Sequence, residues 1–169
     1  MPKQKITTVY QFDELDDKAK ERAREWYRAG ALDYEWWEST YEDAAQVGLK
    51  ITAFDLGRAQ SIDGELTMSA MESVSNILTT HGEDCDTYKL ASRYYPQLLA
   101  LDIEEEDKAQ QLEEEYTREL KEEYWHMLNR EMEYLLSDEC VDETIRANEY
   151  EFLETGRSEE RRVGKECLR

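Results

Sequence analysis

The feature that most limits what this chain can fold into is its charge: 41 Asp and Glu stand against 21 Lys and Arg, a net charge of −20 at neutral pH. Ionised carboxylates are almost never fully buried without a partner. Nearly all of them must therefore lie on the surface, where their mutual repulsion works against compaction. Aromatic mass opposes this. Four Trp and eleven Tyr set the chain apart from the aromatic-poor, highly charged sequences that stay disordered. The same charge excludes nucleic acid and anionic membrane as direct partners and favours a basic protein surface.

The C-terminus alters this balance. Residues Arg157–Cys167 read RSEERRVGKEC, which resembles the one-frame translation of the reverse complement of a sequencing adapter. Residues 157–169 are accordingly expected to be a non-native tail. Without the tail, residues 1–156 hold 38 acidic and 16 basic groups, net −22. That length suits a single domain with its own core. No apolar run approaches the ~18 residues of a membrane span, and no signal-peptide pattern opens the chain. Cys85 and Cys140 have no framework spacing, which fits a reducing compartment. A cytoplasmic location is expected.

Local patterns predict an α+β fold, helix-rich, with a small and mostly antiparallel sheet and the order β-α-α-β-β-α-α-α-α-β. Ile6–Tyr10 reads as a strand. Asp16 caps a helix to about Ala29 with Ala19, Ala23, Trp26 and Tyr27 on one face. Asp33 is expected to cap a second helix to about Val47. Adjacent Trp36 and Trp37 would lie about 100° apart on it, so both are buried only under broad cover. Leu49–Ala53 and Glu65–Met68 flank a polar turn as a hairpin. Ser69 and Glu72 form a capping box for a third helix carrying Val74, Ile77 and Leu78. A fourth covers Asp84–Tyr94, with Pro96 starting a turn. Ser137 or Asp138 caps a last short helix with Val141 and Ile145, and Tyr150 and Phe152 alternate as a final strand.

Between these lies a predicted long helix, about Ile103 to Leu136, opened by Asp102 and Glu105. Ala109, Leu112, Tyr116, Leu120, Tyr124, Met127 and Leu135 form its apolar stripe. Asp102 to Glu123 holds eleven acidic residues against Lys108, Arg118 and Lys121. Glu104, Glu115, Glu122 and Glu133 point nearly opposite the stripe, flanked by Asp107 and Glu119. At ~1.5 Å per residue the row spans roughly 40 Å, a candidate partner-binding face shaped like a line of phosphates. A charge run on a long helix is also the usual form of a merely solvated face.

No motif for catalysis is present: no phosphate loop, no nucleophile elbow, no zinc-type Cys pair. The cluster His81-Gly82-Glu83-Asp84-Cys85 offers two soft ligands without a second pair, so no metal site is assigned. It reads as a loop histidine beside a helix start. His126 is expected to pack at a helix interface, and the Trp and Tyr residues at helical spacing are expected in the core. Catalytic, cofactor-binding and metal residues are each assigned none.

The stretches Val9–Leu15, Asp17–Arg28 and Tyr34–Ala44 resemble a set of small phage and prophage proteins of unknown role. These often carry the automatic label of an antitoxin from a toxin–antitoxin stability system. The resemblance implies a partner protein and supplies no catalytic residues. Acidity and resemblance together lead to the expectation of a phage-type acidic inhibitor, anti-CRISPR or anti-restriction-like. It would bind a basic, nucleic-acid-handling host defence protein by nucleic-acid charge mimicry, in the cytoplasm of the bacterial host. The alternatives are an antitoxin neutralising a basic toxin and, less favoured, a carboxylate–metal enzyme.

Overall fold

The fold was obtained as a computed structural model that describes residues 1–158; of the expected tail, residues 159–169 lie outside the described residues. The fold is α+β in the expected order: β1 (Tyr10–Gln11), a 3-10 turn (Phe12–Glu14), α1 (Asp17–Arg28), α2 (Glu38–Gln46), β2 (Leu49–Asp55), β3 (Ser61–Leu66), α3 (Ala70–Thr80), α4 (Asp86–Leu99), α5 (Glu106–Leu135), α6 (Asp138–Ala147) and β4 (Glu151–Phe152). The strands make two separate two-stranded antiparallel sheets, β1–β4 and β2–β3, rather than one small sheet. The chain divides into two compact units, one of 1–35 with the segment from Met132 onward, the other Trp36–Glu131.

In the first unit, Tyr10 pairs with Phe152 and Gln11 with Glu151. The expected Ile6–Tyr10 strand shrinks to this because only its end finds a partner; Ile6 is exposed. Asp16 caps α1 by accepting from Ala19 N–H at 2.8 Å, and Ser137 caps α6 by accepting from Cys140 N–H. The core is Phe12, Leu15, Ala19, Ala23, Val141, Ile145 and Phe152, with Tyr10, Trp26, Tyr27 and Tyr150 around it. The chain after β4 is seated on α1. Gly156 has φ +85° and is buried, and a Cβ there would fall 2.1 Å from the Ala19 carbonyl oxygen.

In the second unit, α2 begins at Glu38 instead of Asp33. On a helix Trp36 and Trp37 would face different directions. In the preceding turn both reach Phe54 of β2, with centroids 5.7 and 5.8 Å away, and Tyr41 joins them at 6.1 Å. Gly48, at φ +83°, closes α2 and feeds β2. The Ser69–Glu72 capping box is reciprocal. Helix α4 runs through Pro96 to Leu99, beyond the expected end at Tyr94. Ser92 and Pro96 are both exposed, so the carbonyl that proline leaves unpaired meets water. The core joins Val47, Leu49, Val74, Ile77, Leu90, Tyr94, Tyr116, Leu120 and Tyr124. Tyr116, Leu120 and Tyr124 of the expected stripe are fully buried on α5. The fourth fully buried residue is Leu128, one four-residue step further and outside that stripe, while the expected Met127 is only partly buried. No helix among the described residues is long and apolar enough to cross a membrane.

Candidate functional site

The acidic row is only partly a helical face. Glu104 precedes α5 and is exposed, because the helix starts two residues later, at Glu106. Glu105 holds the entry instead: its carboxylate accepts from Asp102 N–H and pairs with Lys108 at 2.6 Å. Those two contacts, Lys108 first, keep its carboxyl below the usual range. Asp107 is exposed in the first turn, and Glu115 is half-buried, accepting from Gln111. Glu122 is exposed with no hydrogen-bond or ion-pair partner among the described residues. Glu133 is exposed on the last turn of α5, in the first unit.

Glu119 departs from the row. It turns to α4, where it accepts from the Tyr94 hydroxyl at 2.7 Å and from Arg93 at 2.9 Å. Burial alone would push its carboxyl up, but those two donors outweigh it and hold it below the ordinary value. The same burial, then the bond to Glu119, pushes the Tyr94 phenol up to about 12.

Asp107, Glu115 and Glu122 thus lie on one helix over sixteen residues, roughly 22 Å of rise. Of the eleven acidic residues from Asp102 to Glu123, only Glu105 and Glu119 form ion pairs among the described residues. The other nine keep their charge uncompensated by a neighbouring cation, so the potential here is negative over the whole length of the segment.

The row is not open solvent throughout. At Glu122 it meets the β2–β3 hairpin, and a groove of about 210 Å³ is lined there by Gln60, Ile62, Glu122, Trp125 and His126. Trp125 donates its indole N–H to the Asp55 carbonyl at 3.0 Å. The Asp55 carboxylate in turn accepts from Gly57 and Ala59 N–H, which shapes the hairpin loop. Gln60, at φ +45°, sits in the left-handed region that non-glycine residues seldom adopt. His126 is exposed on this groove and stacks edge-on with Trp125 at 5.3 Å, not buried at the expected helix interface. The hairpin side of the groove was not expected from the sequence. Its helix side was within reach, since Glu122, Trp125 and His126 stand at i, i+3 and i+4 and share a face.

The histidine–cysteine cluster resolves into a polar network. His81 Nδ1 lies 2.6 Å from the Thr87 hydroxyl and its Nε2 3.5 Å from Asp43. Asp43 also accepts from the buried Tyr124 hydroxyl at 2.7 Å. Burial first, and the bond to Asp43 second, raise the Tyr124 phenol far above its ordinary value. Thr87 is fully buried, while Cys85 is exposed. Among the described residues no three His, Cys, Asp or Glu side chains are grouped to hold a metal ion. The arrangement positions the start of α4 against α2 and α5.

Comparison with protein-family models, curated proteins and solved structures finds no match to this chain.

Proposed function

We propose that the protein is a phage-type acidic inhibitor that binds a basic, nucleic-acid-handling host defence protein and occupies the site of its phosphate backbone. The observation that carries this is the nine carboxylates between Asp102 and Glu123 that form no ion pair among the described residues, concentrated on one helix and its approach. Surface acidity needed only for solubility is ordinarily interspersed with cations. Here the unit Trp36–Glu131 has 22 acidic residues against 8 basic ones. The row is sparser than duplex nucleic acid, with one charge per ~1.7 Å of axis, so other acidic faces of the protein contribute to the mimicry. The likeness of residues 9–44 to phage proteins supports the phage setting.

The test is affinity capture from host lysate with the full chain at low and high salt. Capture of basic, nucleic-acid-binding proteins is expected, falling steeply as salt rises. Replacing Glu104, Glu115, Glu122 and Glu133 together by Lys is expected to abolish it. Acidic captured partners, or capture indifferent to salt, sink the reading.

A further inference from the structure

We infer that the groove between the β2–β3 hairpin and α5 is an arginine-accepting pocket, the anchor point for a basic partner's side chain. This rests on the reading of the protein as a binder of basic protein surfaces, and it names the residue type that surface must present.

The chemistry of the walls sets the ligand. Glu122 offers an exposed carboxylate with no partner among the described residues. Trp125 has already given its N–H to the Asp55 carbonyl, so its indole is fixed in orientation and offers a π surface rather than a donor. Ile62 supplies an apolar wall, Gln60 a side-chain amide and His126 a second aromatic ring. A negative group, two aromatic rings, an apolar patch and a neutral amide together suit a cation with a hydrocarbon stem. Lysine meets the charge alone. Arginine adds a planar face that stacks on an indole and a fork of N–H donors that engages a carboxylate with two bonds. Anions are repelled by Glu122 and the row around it.

The groove also has the composition of an interface anchor. Tryptophan beside a charge, in a partly enclosed site, is where binding energy concentrates, while a flat row of carboxylates supplies steering and salt dependence. Phe54, paired across the hairpin with Ile62, continues the apolar surface from this groove to Trp36, Trp37 and Tyr41.

The experiment compares an arginine octapeptide with a lysine octapeptide at the same ionic strength, by NMR of the full chain. The probes are the Trp125 indole N–H and the Ile62 methyl groups. The arginine peptide is expected to shift both signals and to bind about two- to fivefold more tightly than the lysine peptide. Glu122→Gln is expected to erase that preference, whereas Glu25→Gln, which removes the same charge from the exposed side of α1 outside both the groove and the acidic row, keeps it. Equal affinities, with shifts spread along residues 102–123 and Trp125 unmoved, would overturn the pocket while leaving salt-dependent binding of basic partners intact. Binding of neither peptide overturns both readings. Preference for arginine that survives Glu122→Gln places its origin elsewhere and also overturns the pocket.

Discussion

The two compact units solve the same charge problem differently. The unit formed by the chain termini uses its cations inside its own structure. Arg24 forks onto Asp142 with bonds of 2.7 and 2.9 Å, both side chains largely buried. Arg28 donates to the Leu136 carbonyl at 2.9 Å and pairs with Asp138, and Arg146 pairs with Asp13. Lys20, Arg24 and Arg146 all lie over the Phe12 ring within 5.8 Å of its centroid. The unit Trp36–Glu131 instead fastens its interior with hydroxyls, of which those of Tyr124 and Tyr94 donate to the Asp43 and Glu119 carboxylates. Its Lys and Arg ion pairs, Arg93–Glu119, Lys108–Glu105 and Arg130–Asp86, lie at the surface. Cations therefore knit the first unit together from within, whereas the Lys and Arg pairs of the second stay at its surface. That difference separates a region whose cations hold its elements together from one whose cations only decorate its surface.

The largest test of the comparison concerns the small core of the first unit. Phe152 is fully buried between Phe12 and Trp26, with edge-on contacts at 6.4 and 5.8 Å. Phe152→Ala is expected to cost about 3–5 kcal/mol, measured by urea unfolding, with hydrogen exchange reporting the loss first in α1 and α6. Exchange protection in those helices left unchanged would show that the cations alone hold the unit.

The second unit answers to its hydroxyls. Ser73 Oγ donates to the Val47 carbonyl at 2.6 Å and lies 2.6 Å from the Tyr116 hydroxyl, all of it buried. Burial pushes the Tyr116 phenol up to about 12, with Ser73 pulling it partly back. Ser73→Ala strands the Val47 carbonyl and the Tyr116 hydroxyl, and is expected to cost about 1–3 kcal/mol. The loss should not change with salt. A salt-dependent loss would show that this interior is electrostatic after all.

Arg24→Met is the counterpart in the first unit. It removes two charge-assisted bonds from Asp142 and is expected to cost about 1–2 kcal/mol, between the worth of exposed and buried pairs. This loss should shrink at high salt, by a comparison of unfolding at two ionic strengths. A salt-independent loss would make Arg24 a packing residue over Phe12 and blur the contrast between the units.

Much of this was legible because the signals are local. Ser69 with Glu72, Asp16, Ser137 and the Tyr116, Leu120 and Tyr124 positions of α5 each act within a few residues, and each stands where the pattern put it. The misplacements share one cause, which is a contact distant in sequence. Trp36 and Trp37 leave the helix because Phe54 is seventeen or more residues away. Glu119 leaves the acidic row because Tyr94 and Arg93 of another helix reach it, and a helical-wheel argument places a residue on a face without knowing what lies against that face. The groove at Trp125 depends on the hairpin folding over α5, which no periodicity encodes. Glu122 was found by its charge; its neighbours Ile62 and Gln60 were not, because nothing in their own segment is unusual.

The smallest effect is the most specific to that boundary between paired and unpaired acid. Glu119 is held below the ordinary carboxyl value of 4.5. Its ionised form is therefore favoured in the folded state, and the stability this contributes is present above the unfolded pKa and lost as pH falls through the folded one. Tyr94→Phe deletes the 2.7 Å bond from the phenol while keeping the ring that packs on Tyr116 at 5.3 Å. Burial, which favours the neutral carboxyl, is then opposed by Arg93 with less help, so the Glu119 pKa rises. The variant is expected to lose about 1 kcal/mol or less at neutral pH, and its acid-side decline in stability should be shallower than that of the parent chain. Carboxyl NMR titration of Glu119 with urea unfolding between pH 3 and 7 checks both. A Glu119 titration unchanged by the substitution would return this residue to the free acidic face, because only a carboxylate that the fold does not use is free to be used by a partner.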